Sequence, residues 1–218
     1  MPDAHILQPD PVIDAYKKDV DRALIRRNLA LTVEERFLQL MDMQKFAEEL
    51  RLPVGACERR DGPSGPPDDA RDRWRRMHPH RHVAGIAHGS ARLTLDADIV
   101  YRRTPDNLGK LVTFLTPHHP YLRGAPPGLP FRWDVETLQR GLNFTLDTAL
   151  SPLDILGEVT GGGNYEALLA DTEILQAFGV ECRGLSLMKL IAVKRAAGRP
   201  KDFEAIAELE AIVEERQR

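Results

Sequence analysis

The chain has 218 residues, of which 42% are hydrophobic and 29% charged, with a formal net charge of −3. That balance suits a soluble globular protein of one large domain, or a medium domain with an appendage, and gives no global electrostatic reason to bind nucleic acid. The two cysteines, Cys57 and Cys182, argue against a disulfide framework or thiolate cluster; with no span-length apolar run and no basic-then-apolar leader in MPDAHILQPD, a cytoplasmic protein without membrane contact is expected.

The spacing of Val12, Tyr16, Val20, Ala23 and Leu24 predicts one helix over 11–27. Thr32 then offers an N-cap, and Glu35, three residues later, completes a capping box. Phe37, Leu40, Met41, Ala47 and Leu50 fall on one side of the helix that follows, about 18 residues long. Its stripe needs a surface to bury against, on its own chain or on a partner. Residues 53–68 are rich in proline and glycine and read as a linker. The run 68–82 is rich in arginine and histidine, but its interleaved acids favour a solvated face over an RNA contact. His78, His80 and His82 alternate, yet Pro79 interrupts the strand that would align them, and no acid or thiol completes a metal set.

Residues 83–89 read as a short turn of small and apolar residues, and 93–101 (LTLDADIVY) as a strand. Thr104-Pro105-Asp106 opens a helix whose stripe is Leu108, Leu111, Val112 and Leu115. Residues 117–130 form a loop and 133–140 a short helix. Two strands, 142–148 and 153–159, are joined by a tight turn. Gly161-Gly162-Gly163 breaks the chain before a helix over 165–171, and 174–183 is a strand pair or an irregular strand. Ser186 caps a helix that Gly198 ends, and Pro200 begins a last helix to about Arg216. The expected fold is α/β (α+β): a mixed β-sheet flanked by helices. The expected organisation is a helical segment over 1–52, a linker over 53–74 and a sheet-containing domain over 75–218.

Asp96 and Asp98 lie at alternate positions of the predicted strand, so both carboxylates share a face. Two adjacent carboxylates repel each other, and a hard divalent cation such as Mg²⁺ or Mn²⁺ relieves that repulsion while reaching phosphate oxygens. Two such ions can serve the attacking and the leaving oxygen of a phosphoryl transfer. Asp154, a lone acid in the apolar segment LDIL, is the best candidate for a third ligand, with Asp147 second. Just upstream, Gly85, Gly89, Ser90 and Arg92 are suited to phosphate contact: small residues let backbone N–H groups approach, and the hydroxyl and guanidinium add donors. Lys194 is a candidate point charge for a triphosphate. His88 is better suited to satisfying a backbone carbonyl than to acting as a base. Asp202 is placed to pair with Lys194 or Arg199.

The stretch HGSARLTLDADIVY resembles the signature of polymerase β-like nucleotidyltransferases, in the branch containing abortive-infection-type toxins of toxin–antitoxin pairs. LNFTLDTALSPLDILGEVTGGGNYEALL resembles the strand pair that carries that family's third carboxylate, here at Asp154. SLMKLIAVKRAAGRPKDFEAIAELE resembles its C-terminal helices, with Lys194, Lys201 and Asp202 at recurrent positions. The resemblance runs from about His82 to the C-terminus. It implies a nucleotidyltransferase fold and transfer of a nucleoside monophosphate from an NTP to an RNA (tRNA-like) or protein acceptor. LTVEERFLQLMDMQKFAEELR resembles a small helical protein of the kind encoded beside such transferases, which implies an antitoxin-like helical partner or regulator. One departure stands out: between Gly85 and His88 about three residues are missing, close to one helical turn. A catalytically degenerate binding or regulatory module is therefore the competing expectation.

Overall fold

The computed structural model describes residues 7, 9–51, 82–92, 97–126, 128–149 and 151–218; of 44–51, 82, 83, 97 and 180 only the backbone is described. The expected linker, most of the arginine- and histidine-rich run with His78 and His80, and Asp96 lie outside the described residues.

Two helices stand where one was expected. Helix α1 spans Pro11–Lys17 and α2 spans Arg22–Ala30. Two aspartates account for the division. Asp10 accepts from the N–H groups of Val12 and Ile13, and Asp21 accepts from those of Ala23 and Leu24, so each helix starts on its own cap. The expected capping box forms: Thr32 N–H donates to Glu35 at 2.7 Å, and Glu35 N–H donates to the Thr32 hydroxyl at 3.2 Å. It opens α3, Val33–Arg51. Phe37 and Leu40 of α3 are buried against Ile86, Leu175 and Phe178, so this part of the stripe docks on the protein's own chain.

Residues 83–89, expected as a turn, fall largely within helix α4, His82–His88. Ala84 through Ser90 are all buried. Contacts from α3, from the strand β8 (Val180–Leu185) and from α8 (Leu187–Ala197) surround the segment, and this packing overrides the low helix propensity of its glycine.

The main sheet has the order β1-β4-β3-β2, built from β1 (Ala97–Val100), β2 (Tyr121–Leu122), β3 (Asn143–Asp147) and β4 (Leu153–Leu156). Strand β1 is parallel to β4; the other neighbours are antiparallel. The mixed sheet and flanking helices make the architecture α+β. Helices α5 (Pro105–Leu115) and α6 (Val135–Arg140) supply Leu108, Leu115 and Leu138 to a core shared with Phe144, Leu146, Leu153 and Ile155. Full burial of each such side chain contributes about 1.5–3 kcal/mol. The expected single strand over 153–159 breaks at Gly157, where a Cβ would lie 2.7 Å from the Leu142 carbonyl oxygen. Beyond the break, β5 (Glu158–Val159) and β6 (Gly163–Asn164) form a small hairpin that leads into α7 (Tyr165–Leu168). The segment 174–183 lies in a true strand pair, β7 (Thr172–Ala177) with β8.

A second core joins the two ends of the chain. Ile13 of α1 and Ile25 of α2 pack with Leu190 of α8 and with Ile206 and Ile212 of α9, Phe203–Arg216. Ion pairs flank this core, among them Lys17 with Glu210 at 2.7 Å and Arg22 with Glu214 at 2.6 Å.

Candidate carboxylate site

Strand alternation decides which face of the main sheet is polar. Leu153 and Ile155 of β4, with Phe144 and Leu146 of β3, point into the core under α5 and α6. Asp154, Thr145 and Asp147 therefore point to the opposite face. Asp98 and Asp154 are register partners across β1 and β4, and Thr145 partners Asp154 across β4 and β3. The Arg123 N–H donates to the Thr145 carbonyl at 2.9 Å and extends this row to the far edge. Two acids, a hydroxyl and a guanidinium thus lie in one line across the sheet.

Neighbouring strands are about 4.8 Å apart, so Asp98 and Asp154 are held close by backbone pairing alone. Both Asp98 carboxylate oxygens and Oδ1 of Asp154 are shielded from solvent. Arg123 approaches Oδ1 of Asp154 at 3.4 Å and Oδ1 of Asp147 at 3.2 Å. The structure therefore brings Asp98, Asp154 and the second-ranked Asp147 onto one face. Asp96 lies outside the described residues. Among the described residues, no group of three or more His, Cys, Asp or Glu side chains converges. The donor set suits a hard cation, with two carboxylates side by side and largely dehydrated.

Asp98 also lines a cavity of about 380 Å³ between the sheet, the β5–β6 hairpin, β8 and α8. That volume is in the range of small-molecule sites. Val159, Leu168 and Leu185 give it an apolar wall, and Lys194, Arg183 and Arg199 give it positive charge. Lys194 is buried and pairs with Asp202 at 3.3 Å, while Arg199 holds the other Asp202 oxygen at 2.7 Å. Burial alone would raise the Asp202 carboxyl, but the Arg199 hydrogen bond and the two cationic neighbours outweigh it and hold it below its usual value. Cys182 lines the cavity too, and burial, with the nearby Glu181 charge, raises its thiol. It is accordingly a poor nucleophile.

The turn expected to receive phosphates is occupied by carboxylates of the last helix. The Ser90 hydroxyl donates to Glu208 at 2.7 Å, and the Ala91 N–H donates to the other Glu208 oxygen at 2.8 Å. Arg92 pairs with Glu204 at 3.0 Å. Gly89 has φ +112°, and a Cβ there would lie 3.0 Å from Leu29, so only glycine fits this turn under α2. Gly85 sits inside α4, and a Cβ there would lie 3.6 Å from the Ser90 Cβ. The free space bounded by Gly85, Ser90, Arg92, Lys194 and Glu208 is about 10 Å³, at the lower limit for a single water molecule. Of the expected phosphate-contact set, Lys194 alone also lines the large cavity.

His88 is buried, with Nε2 2.9 Å from the Leu185 carbonyl and Nδ1 3.3 Å from an Arg216 nitrogen. A neutral ring that donates from Nε2 and accepts at Nδ1 satisfies both contacts. Burial, reinforced by the Arg216 charge, lowers its pKa despite the carbonyl contact. The sequence reading did not single out Glu208. Its signal was available: it is an acid within the apolar run Ala205, Ile206, Ala207, Leu209, Ala211 and Ile212.

Comparison with known proteins gives no match: no family model, no curated protein and no solved structure matches the chain.

Proposed function

We propose that the protein is a metal-dependent nucleotidyltransferase that moves a nucleoside monophosphate from an NTP to an acceptor hydroxyl. The observation that supports this most directly is the register pairing of Asp98 with Asp154, with Asp98 on the wall of a cavity that also holds Lys194. Asp98 and Asp154, with Asp96 from the segment outside the described residues, would hold Mg²⁺ or Mn²⁺, whose contribution is to neutralise phosphate oxygens. In the transfer, the acceptor oxygen bonds to the α-phosphorus, the bond to the bridging oxygen breaks, and pyrophosphate leaves. Asp154 takes the acceptor proton, and Lys194 and Arg199 offset the charge on the leaving phosphates. The apolar wall takes the nucleoside. The acceptor class (an RNA end such as that of a tRNA, or a protein) rests on the sequence resemblance, as does a role as the toxin of a toxin–antitoxin pair. No helix among the described residues is long and apolar enough to cross a membrane.

Incubation with each labelled NTP, Mg²⁺ and cell extract tests this. Wild type is expected to transfer label, and Asp98→Asn and Asp154→Asn to lose at least a hundredfold, roughly the scale of a key electrostatic group. Equal labelling by all three proteins, or none by wild type with any NTP, would refute the enzymatic reading.

A second reading, a catalytically degenerate binding module on the same fold, is favoured by one observation. Glu208 takes up the Ser90 hydroxyl, one of the expected phosphate contacts, together with the neighbouring Ala91 N–H. The two readings part on thermal stabilisation by Mn²⁺ and NTP together, which the enzyme requires and the degenerate module lacks.

A further inference from the structure

We infer that Arg123 is a resident cation of the carboxylate site, which positions Asp154 and competes with a divalent ion for it. This rests on the assignment of Asp98 and Asp154 as cation ligands. Arg123 follows the short edge strand β2, and its guanidinium folds back over the polar face of the sheet. Nη2 lies 3.4 Å from Asp154 Oδ1 and 3.0 Å from the Leu146 carbonyl, and Nε lies 3.2 Å from Asp147 Oδ1. One fork therefore spans two acids on adjacent strands, a use for which the planar guanidinium is suited and an ammonium is not.

The geometry implies an exchange. A divalent ion that reaches Asp154 must share that carboxylate with Arg123 or displace its Nη2. The displaced arginine stays tethered, because its Nε still donates to Asp147 Oδ1 at 3.2 Å. Arg123 thus holds Oδ1 of Asp154 from the β3 side and lowers the affinity of the site for the ion. Asp147, two positions along β3 from the partner of Asp154, acts as the anchor of the arginine rather than as a ligand.

The sign of the effect separates this role from a merely structural one. Loss of a structural arginine weakens cation binding or leaves it alone; loss of a competing one strengthens it. A unit charge about 6 Å from a divalent ion costs about tenfold in affinity even at the dielectric constant of water. Partial exposure and salt reduce this, so about five- to tenfold is expected.

The test is Mn²⁺ titration of the full chain, by calorimetry and by the paramagnetic signal of free Mn²⁺, on wild type, Arg123→Gln, Arg123→Lys, Asp147→Asn and Arg123→Gln/Asp147→Asn. Arg123→Gln is expected to bind about five- to tenfold more tightly than wild type, with Arg123→Lys between them. Asp147→Asn is expected to weaken binding more in wild type than in the Arg123→Gln background, because it commits the arginine to Asp154. Unchanged or weaker binding by a folded Arg123→Gln protein would overturn the role of Arg123 while leaving the carboxylate site in place. Should Arg123→Gln not fold, Arg123→Lys decides alone, and affinity equal to wild type overturns the role. Absence of Mn²⁺ binding from every variant and from wild type would overturn the carboxylate site, and the role of Arg123 with it.

Discussion

Replacing Glu208 probes what the Gly89–Arg92 turn is for. Its carboxylate is buried and receives the Ser90 hydroxyl at 2.7 Å and the Ala91 N–H at 2.8 Å, both charge-assisted. Glu208→Ala strands these two donors, at about 1–3 kcal/mol each, so a loss of about 4 kcal/mol is expected. For a chain of this size that corresponds to a fall in Tm of about 8–16 °C. Glu208→Gln keeps the shape: its oxygen can accept from Ala91 N–H and its amide can donate to Ser90 Oγ. Only charge assistance is lost, about 1–2 kcal/mol. Urea denaturation with the m-value unchanged measures both. Glu208→Gln within about 0.3 kcal/mol of wild type would refute the placement of the carboxylate on the turn, since surface changes stay within about ±0.5 kcal/mol. The same variants separate two seats for the nucleotide. With phosphates beside Lys194 and Arg199, Mg²⁺–NTP stabilises Glu208→Gln and wild type by equal amounts. A markedly larger shift in Glu208→Gln would place the phosphates on the turn and refute the cavity as their seat.

Asp202→Asn removes the acid that pairs with the buried Lys194 at 3.3 Å and with Arg199, and a loss of about 3–5 kcal/mol is expected by thermal or urea denaturation; a change below about 1 kcal/mol would remove Asp202 as a partner of Lys194. Acid should destabilise the protein through the same carboxyl and through Glu214, whose pKa burial would raise but which its bonds to Arg22 and Lys17 lower. Depressed folded-state values mean a stabilisation fully present above the ordinary carboxylate range and lost as pH falls from there through the lower folded-state values. Stability measured from pH 6 down to pH 3 should therefore fall, and the slope should be shallower in Arg22→Ala.

The strand that carries Asp154 was legible because LDIL alternates, and a lone acid between buried leucine and isoleucine must face the other way. That Asp154 joins Asp98 was expected, but the parallel register that makes them direct partners was not legible, because it links positions more than fifty residues apart. The Gly89-Ser90-Arg92 turn shows the opposite limit. Its residue types suit phosphate, but the acid that meets Ser90 lies 118 positions away, and only the docking of α9 brings them together. Gly85 and the small residues around it read locally as a turn. Burial by α3, α8 and β8 makes them a helix, at the cost of the local preference. The break between α1 and α2 depends on Asp21 taking the Ala23 and Leu24 N–H groups, a competition that apolar spacing alone does not register.

The most direct test of the central claim is anomalous diffraction from crystals soaked in Mn²⁺ with a non-hydrolysable NTP. The account predicts a manganese peak about 2.1 Å from carboxylate oxygens of both Asp98 and Asp154, with the phosphates toward Lys194. A peak remote from these two aspartates, or a nucleotide seated on the Gly89–Arg92 turn with Glu208 displaced, would contradict it.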